Sequence, residues 1–291
     1  MTAPPPLADP LSASTEAEPD PDLLVAEEEA LLVALQHRYG YDFGGYARAS
    51  LRRRLQLACT RLGCVHLSEL QGRVLRDPEL LRELVATLSV QTTEMFRDPS
   101  MWRDLREQVL PVLASYPEVR VWSAGCSTGE EVWSLAICLH EAGLLSRARV
   151  HATDLDAGAL ARAAEAVRPA ADAQAWTAAY QRSGGSESFG DYYTSAYGLA
   201  SIRPELLERV VFAQHNLATD SSFGRMHLIL CRNVMIYFGQ DLRARALGLF
   251  DGSLVRRGFL AVGGRETLRF SPIADGYEPV TPDARLYRKK P

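Results

Sequence analysis

Residues 121–137 read VWSAGCSTGEEVWSLAI and hold the chain's densest group of reactive side chains. Gly125-Cys126-Ser127-Thr128-Gly129 satisfies G-x-S-x-G, the turn that lifts a hydrolase serine above an α/β sheet. Such a serine needs a carboxylate and then a histidine on later strand ends, and Asp154 and His215 stand in that order. Against that reading, His215 lies inside an apolar strand pattern, and no oxyanion glycine run precedes the turn. The same letters also fit a glycine turn, opened by Gly125, that receives a cofactor between a first strand and a helix. Asp154 then closes the next apolar run, HATDLD, where an acid accepts hydrogen bonds from ribose hydroxyls. The usual phosphate grip is missing, with neither G-x-G-x-x-G nor a Walker lysine in the chain. Glu130 and Glu131 begin the helix, where the dipole would otherwise welcome a phosphate. Two carboxylates there repel a pyrophosphate and attract a cation. S-adenosylmethionine has a ribose, no phosphate and a positive charge, so the pattern favours methyl transfer over hydride or phosphoryl transfer. The plainer alternative is a packing turn with no ligand, since glutamates are common in solvated first turns.

Three further stretches carry polar groups at apparent strand ends. MHLILCRNVMIYF sets Arg232 and Asn233 directly after an apolar strand, where neither is buried without partners. Tyr237 follows shortly after, and Cys231 reads as a packed thiol. QHNL places Asn216, with Leu217 beside it, on another strand end, where an amide can read adenine. SVQTTEMFRDP supplies Thr93 and Arg97 before an Asp-Pro helix start. A different feature is the basic helix carrying Arg48, Arg52, Arg53, Arg54 and Arg61. It is either a solvated face or a docking surface for an acidic protein partner. Nucleic acid fits poorly, because aromatic interleaving is weak and the net charge is −4.

These residues need elements to position them. Residues 1–22 are rich in Pro, Ala and acids and are expected to be a disordered tail. Residues 23–92 read as a helical domain, with Gly40 and Gly63 as stops and Asp77-Pro78 as a start, and Asp98-Pro99 repeats that start for the helix PSMWRDLREQVL. Residues 93–291 form the second domain, in which, after Pro117, short apolar runs alternate with helical ones, which predicts a doubly wound parallel sheet. Ligands in such sheets lie at the carboxyl ends of the strands, and the polar stretches above all fall there. Residues 180–203, rich in Gly, Ser and Tyr, read as a small β insertion. The 5 cysteines, odd in number and without C-x-x-C, read as reduced thiols of a cytoplasmic protein. The 6 histidines show no H-x-x-x-H pairing, so no metal is expected. Neither a signal peptide nor a membrane span is legible.

Taken together, VWSAGCSTGEEVWSLA, HATDLD, HNL, LILCRNVMIYF and the basic helix before TTEMFRDP resemble the CheR-type chemoreceptor glutamate methyltransferases. The motifs recur in family order over residues 23–291. The resemblance implies an α/β protein with an N-terminal all-helical domain and a Rossmann-like class I methyltransferase domain bearing a small antiparallel β insertion. It implies methyl transfer from S-adenosylmethionine to glutamate side chains on the cytoplasmic helical bundle of chemoreceptors, with S-adenosylhomocysteine as product. Carried over by motif, Gln91, Thr93 and Arg97 close the helical domain against the cofactor. Glu131, with Glu130 as the neighbouring candidate, meets the methionine portion. Asp154 meets the ribose, Asn216 and Leu217 the adenine side, and Arg232 and Asn233 the remaining wall. Arg97 and Tyr237 lie nearest the transferring methyl. The basic helix resembles the receptor-docking element, and the β insertion tethers a receptor C-terminal peptide in some members. Two departures stand out: the family often reads N-x-T-x-F-F-R where this chain has Gln91 to Arg97 with Met95, and Val132 replaces a helix-start proline. A methyltransferase acting on another substrate, or a cofactor-binding regulatory module, is the alternative reading.

Overall fold

A computed structural model describes residues 20–89, 91–282 and 285–291, so most of the expected tail lies outside the described residues. Its last two residues, Pro21 and Asp22, belong to a helix. Asp20 accepts the Asp22 N–H at 3.0 Å, and Pro21 supplies a pre-set φ, so α1 (Pro21–Tyr39) starts on an Asp-Pro cap. α2 (Arg48–Leu62), α3 (Leu67–Val74) and α4 (Pro78–Leu88) complete the helical domain. Its core is one apolar cluster built from Leu31 and Leu35, Leu51 and Leu55, Leu70, and Leu84. Gly40 (φ 76°) and Gly63 (φ 65°) end α1 and α2 in the left-handed conformation that spares glycine a steric cost. The next helix runs as α5 (Pro99–Asp104), a π turn over Leu105–Val109, and α6 (Leu110–Leu113). Pro111, which lacks an N–H for the helical ladder, sits just past that π turn.

The second domain alternates β1 (Val119–Ala124), α7 (Glu130–Glu141), β2 (Ala148–Asp154) and α8 (Ala157–Glu165). There follow β3 (Val167–Pro169), α9 (Ala173–Arg182), β4 (Tyr193–Ala196), β5 (Leu199–Ile202) and β6 (Val210–Gln214). The chain then forms β7 (Met226–Cys231), α10 (Gln240–Ser253), β8 (Leu254–Val262), β9 (Tyr277–Pro279) and β10 (Leu286–Lys289). The main sheet has the order β6-β2-β1-β7-β8-β10-β9. β6, β2, β1, β7 and β8 are parallel, and β10 is antiparallel to both its neighbours. Side chains alternate between two cores: Val121, Leu228 and Leu230 face one, and Trp122, Ile229 and Cys231 the other. Strand order reverses at β1, which opens a crevice between the tips of β1 and β7.

The small antiparallel sheet, β3-β5-β4, starts earlier than the composition of residues 180–203 suggests. Its first strand is only three residues long, too short to show a period-2 pattern, and follows a left-handed turn at Ala166 (φ 53°). The two domains share a seam of main-chain pairing. Ala47 N–H donates to the Tyr237 carbonyl at 2.9 Å, and Gly239 N–H to the Gly45 carbonyl at 2.8 Å. Among the described residues, no helix is long and apolar enough to cross a membrane.

Candidate functional site

The crevice at the tips of β1, β2 and β7 has two lobes that share Gly125, Asn233 and Val234. The larger, about 630 Å³, is lined by Tyr46, Ser89, Asp154, Asn216, Leu217 and Tyr237, among others. The smaller, about 410 Å³, is lined by Thr93, Arg97, Ser127, Glu131 and Arg232. The backbone around them is unusual: Phe96, Asp98, Ser127 and Asn233 all have φ between 52° and 60°. Such conformations cost energy and persist where surrounding contacts over-determine them.

The turn after β1 is held by β2. Gly125 and Cys126 N–H both donate to the Thr153 carbonyl, at 2.7 and 2.9 Å. Trp122 Nε1–H donates to Thr153 Oγ1 at 2.8 Å, fixing the same residue from its side chain. Gly125 has φ 76°, and a Cβ there would run into Val234 Cγ2, so the residue must be glycine on both counts. Asp154 accepts Ser127 N–H at 2.8 Å and Asp156 N–H at 3.0 Å, one on each oxygen. Burial pushes its carboxyl above the usual range, against those hydrogen bonds.

The two glutamates of α7 diverge, as neighbours separated by about 100° on a helix must. Glu131 turns into the smaller lobe and accepts Arg232 Nη1–H at 2.9 Å and Ser123 Oγ–H at 3.3 Å. Burial raises its carboxyl, and Arg232 pulls it back. Glu130 lines neither lobe. It pairs with Arg168 of β3 at 2.7 Å, and Arg168 also donates to the Thr128 carbonyl at 2.6 Å and lies over the Trp133 ring at 4.8 Å. Both carboxylates are thus already paired with arginines, which weakens the attraction of the turn for a cation, and of the two only Glu131 faces the crevice. Gln91 lines neither lobe either; it hydrogen-bonds Asp156 and Arg162 at the start of α8.

Arg232 is a buried connector whose side chain is 1 % exposed. Besides Glu131, it donates to Asp98 Oδ2 at 2.8 Å and to the Arg97 carbonyl at 2.9 Å. Arg97 itself donates only to the Thr92 carbonyl at 3.0 Å and has no carboxylate partner among the described residues. Tyr237 stands in the other lobe with the Arg54 guanidinium 4.7 Å over its ring. Arg54 therefore leaves the exposed basic face: it sits three residues after Leu51 and one before Leu55, beside the buried stripe, and bonds the Thr87 and Leu88 carbonyls. Arg48 and Arg52 lie half-exposed and pair with buried Glu28 at 2.9 and 3.1 Å. Arg53 and Arg61 remain exposed.

Ser127 and His215 lie in different lobes, and His215 Nε2 meets the Ser221 carbonyl at 3.2 Å, so no serine–histidine pair exists. Burial pushes the Cys126 and Cys231 thiols well up, away from nucleophilic use. Asn216 uses its Oδ1 to accept the Ala218 N–H at 2.9 Å, which leaves its amide N–H groups for a ligand. Sequence reasoning passed over Glu266, whose carboxylate accepts Asn233, Ile236 and Gly263 N–H groups and so shapes the loop bearing Tyr237. Its signal was an acid after the glycine pair that ends GFLAVGG, the same strand-end placement that marked Asp154.

Comparison with known proteins gives two family matches: the CheR methyltransferase all-alpha domain over residues 26–89, and the CheR methyltransferase SAM binding domain over residues 91–278. The Pseudomonas putida protein named Cher3 is 44 % identical over 263 residues, covering 90 % of this chain and 96 % of that one. A chemotaxis protein methyltransferase of Listeria innocua is 32 % identical, covering 79 % of this chain and 85 % of that one. Chemotaxis protein methyltransferase 1 of Pseudomonas aeruginosa is 30 % identical, covering 88 % and 94 %. With both domains matched in order, and with the sheet reversing where the two-lobed crevice opens, this chain belongs to the CheR methyltransferase family.

Proposed function

We propose that this chain transfers a methyl group from S-adenosylmethionine to glutamate side chains of chemoreceptor cytoplasmic helices, giving glutamate methyl esters. The observation that carries this reading is Arg97. Its guanidinium lines the smaller lobe without a carboxylate partner, whereas Arg232 and Glu131 beside it already satisfy each other. A guanidinium with no carboxylate of its own suits an incoming carboxylate. The other charge on this lobe without an ion-pair partner among the described residues, Glu94, is an exposed carboxylate at its rim.

The crevice also fits the cofactor. The larger lobe offers Asp154 for ribose hydroxyls and the free amide of Asn216, with Leu217, for adenine. Glu131 and the buried, unpartnered Ser127 Oγ face the lobe left for the methionine portion. When bound, S-adenosylmethionine supplies an electrophilic methyl on sulfur. A glutamate is already ionised at neutral pH and attacks without a base, so the protein needs only to align and to exclude water. In this reading Arg97 orients the carboxylate from the smaller lobe. Tyr237 orients it from across the shared ridge of Gly125, Asn233 and Val234. Thr93, in the segment with Arg97, closes the lobe. The exposed Arg53 and Arg61, with the outer edges of Arg48 and Arg52, dock the acidic receptor bundle, and the outer edge of β4 is available to a receptor C-terminal peptide.

Incubation with methyl-labelled S-adenosylmethionine and chemoreceptor cytoplasmic fragments tests the reading. Label should appear on the receptor and leave as methanol in mild base. Base-stable label, or none on receptors, overturns the carboxylate assignment.

A further inference from the structure

The larger lobe is not built by the methyltransferase domain alone, because Tyr46, Leu88 and Ser89 come from the helical domain. Tyr46 is held rigidly. Its ring stands edge-on to Phe43 (5.3 Å) and to Phe238 (5.2 Å), and its backbone pairs with Phe238 across the seam. Its hydroxyl has no hydrogen-bond partner among the described residues. Tyr39, from the same domain, gives its hydroxyl to the Val74 carbonyl at 3.0 Å. The partly buried Tyr46 thus presents a free hydroxyl to the lobe that it lines.

The chemistry of the lobe says what that hydroxyl is for. Each ribose hydroxyl is both donor and acceptor, while the ionised Asp154 can only accept. Of the polar side chains near Asp154, Ser89 Oγ donates to the Val85 carbonyl at 2.7 Å and Gln214 Nε2 to the Leu155 carbonyl at 2.8 Å, while His215 Nδ1 and the Asn216 amide N–H groups stay without partners among the described residues. With the Asn216 amide assigned to adenine, the Tyr46 hydroxyl is the free donor that the helical domain adds on the side of Asp154. Burial, reinforced by the charge of Asp154, raises the Tyr46 phenol above its usual value, so it stays a neutral donor at neutral pH. We propose that Tyr46 is a cofactor-contacting residue supplied by the helical domain, donating to a ribose hydroxyl oxygen whose hydrogen Asp154 accepts. The inference rests on the S-adenosylmethionine reading of the crevice and adds that the ligand touches both domains at once.

Tyr46→Phe removes one oxygen and leaves the ring packing. Calorimetric titrations of the full chain would use S-adenosylhomocysteine, 5′-methylthioadenosine, and the 2′,3′-dideoxy form of the latter. The variant should bind the first two about tenfold more weakly, by the same factor, as expected for one lost hydrogen bond in a buried site. Its affinity for the dideoxy nucleoside should match that of the wild type. Unchanged affinity for the first two in a variant that melts like the wild type overturns the proposal. A penalty that persists on the dideoxy nucleoside assigns the hydroxyl to adenine and overturns the ribose contact. Failure of the wild type to bind any of the three would instead refute the cofactor reading beneath it.

Discussion

Glu266 offers the sharpest test of how the crevice is held. The residue is 7 % exposed and has no ion-pair partner among the described residues. Its Oε2 accepts Gly263 N–H at 2.6 Å and Asn233 N–H at 2.9 Å, and its Oε1 accepts Ile236 N–H at 3.2 Å. Those three bonds fix a loop in which Asn233 holds φ at 60° and from which Tyr237 projects. In Glu266→Gln, one carbonyl oxygen can keep two of the N–H groups, but the new NH2 faces the Ile236 N–H donor to donor. Losing the charge and one acceptor should cost about 2 kcal/mol. Glu266→Ala strands all three donors and leaves a hole, which should cost about 4 kcal/mol. Urea denaturation with an unchanged slope would read both values. S-adenosylhomocysteine titration should show the affinity falling in the same order, since Asn233 borders both lobes. An alanine variant within about 0.5 kcal/mol of the wild type, with normal affinity, would refute the view that this carboxylate shapes the site.

The pair Arg168–Glu130, 15 % and 8 % exposed, ties β3 to the cofactor turn. Arg168→Met should cost about 3 kcal/mol by leaving a buried charge, and adding Glu130→Gln should restore much of it; a double-mutant coupling near zero counts against the tie. Arg97→Ala and Tyr237→Phe should lower turnover on receptor fragments about 10²-fold while S-adenosylhomocysteine affinity changes little; full turnover in both would remove their assigned roles. Burial raises Asp154 and Glu131, so the folded chain takes up protons on these groups at higher pH than the unfolded chain. Their contribution to stability then improves as pH falls from neutral through the raised values, above the ordinary 3.8 and 4.5. Cofactor affinity should move the opposite way, because a protonated Asp154 is a poorer acceptor; a Kd for S-adenosylhomocysteine that is flat from neutral to mildly acidic pH would contradict the ribose role.

Much of the crevice was legible because a doubly wound sheet brings every strand tip to one edge. Gly125, Asp154, Asn216 and Asn233 needed only their place after an apolar run. What escaped was direction. Glu130 and Glu131 are chemically identical neighbours, and which one turns inward depends on Arg168 and Arg232, distant in sequence from α7. Arg54 was read with Arg52 and Arg53 as one basic face, although its spacing from Leu51 and Leu55 already puts it beside the buried stripe. Gln91, an apparent substitute for an amide that faces the cofactor, is instead held by Asp156 and Arg162. Glu266 shares the strand-end placement of Asp154, but its partners Asn233 and Ile236 come to it only because β8 lies alongside β7, a long-range pairing that no local pattern encodes.

The seam at Gly45–Ala47 and Tyr237–Gly239 bears on how such a chain can change over time. Two main-chain hydrogen bonds and the edge-to-face Phe43–Tyr46–Phe238 aromatic cluster cross it. A second domain released on its own would turn the Tyr237 carbonyl, the Gly239 N–H and the Phe238 ring out to water, in the very loop that carries Tyr237. Recombination that replaced either half with that of a distant relative would have to bring both sides of this joint with it. The seam thus ties the sequences of the two domains to each other, and the helical domain is part of the crevice's scaffold as well as its approach.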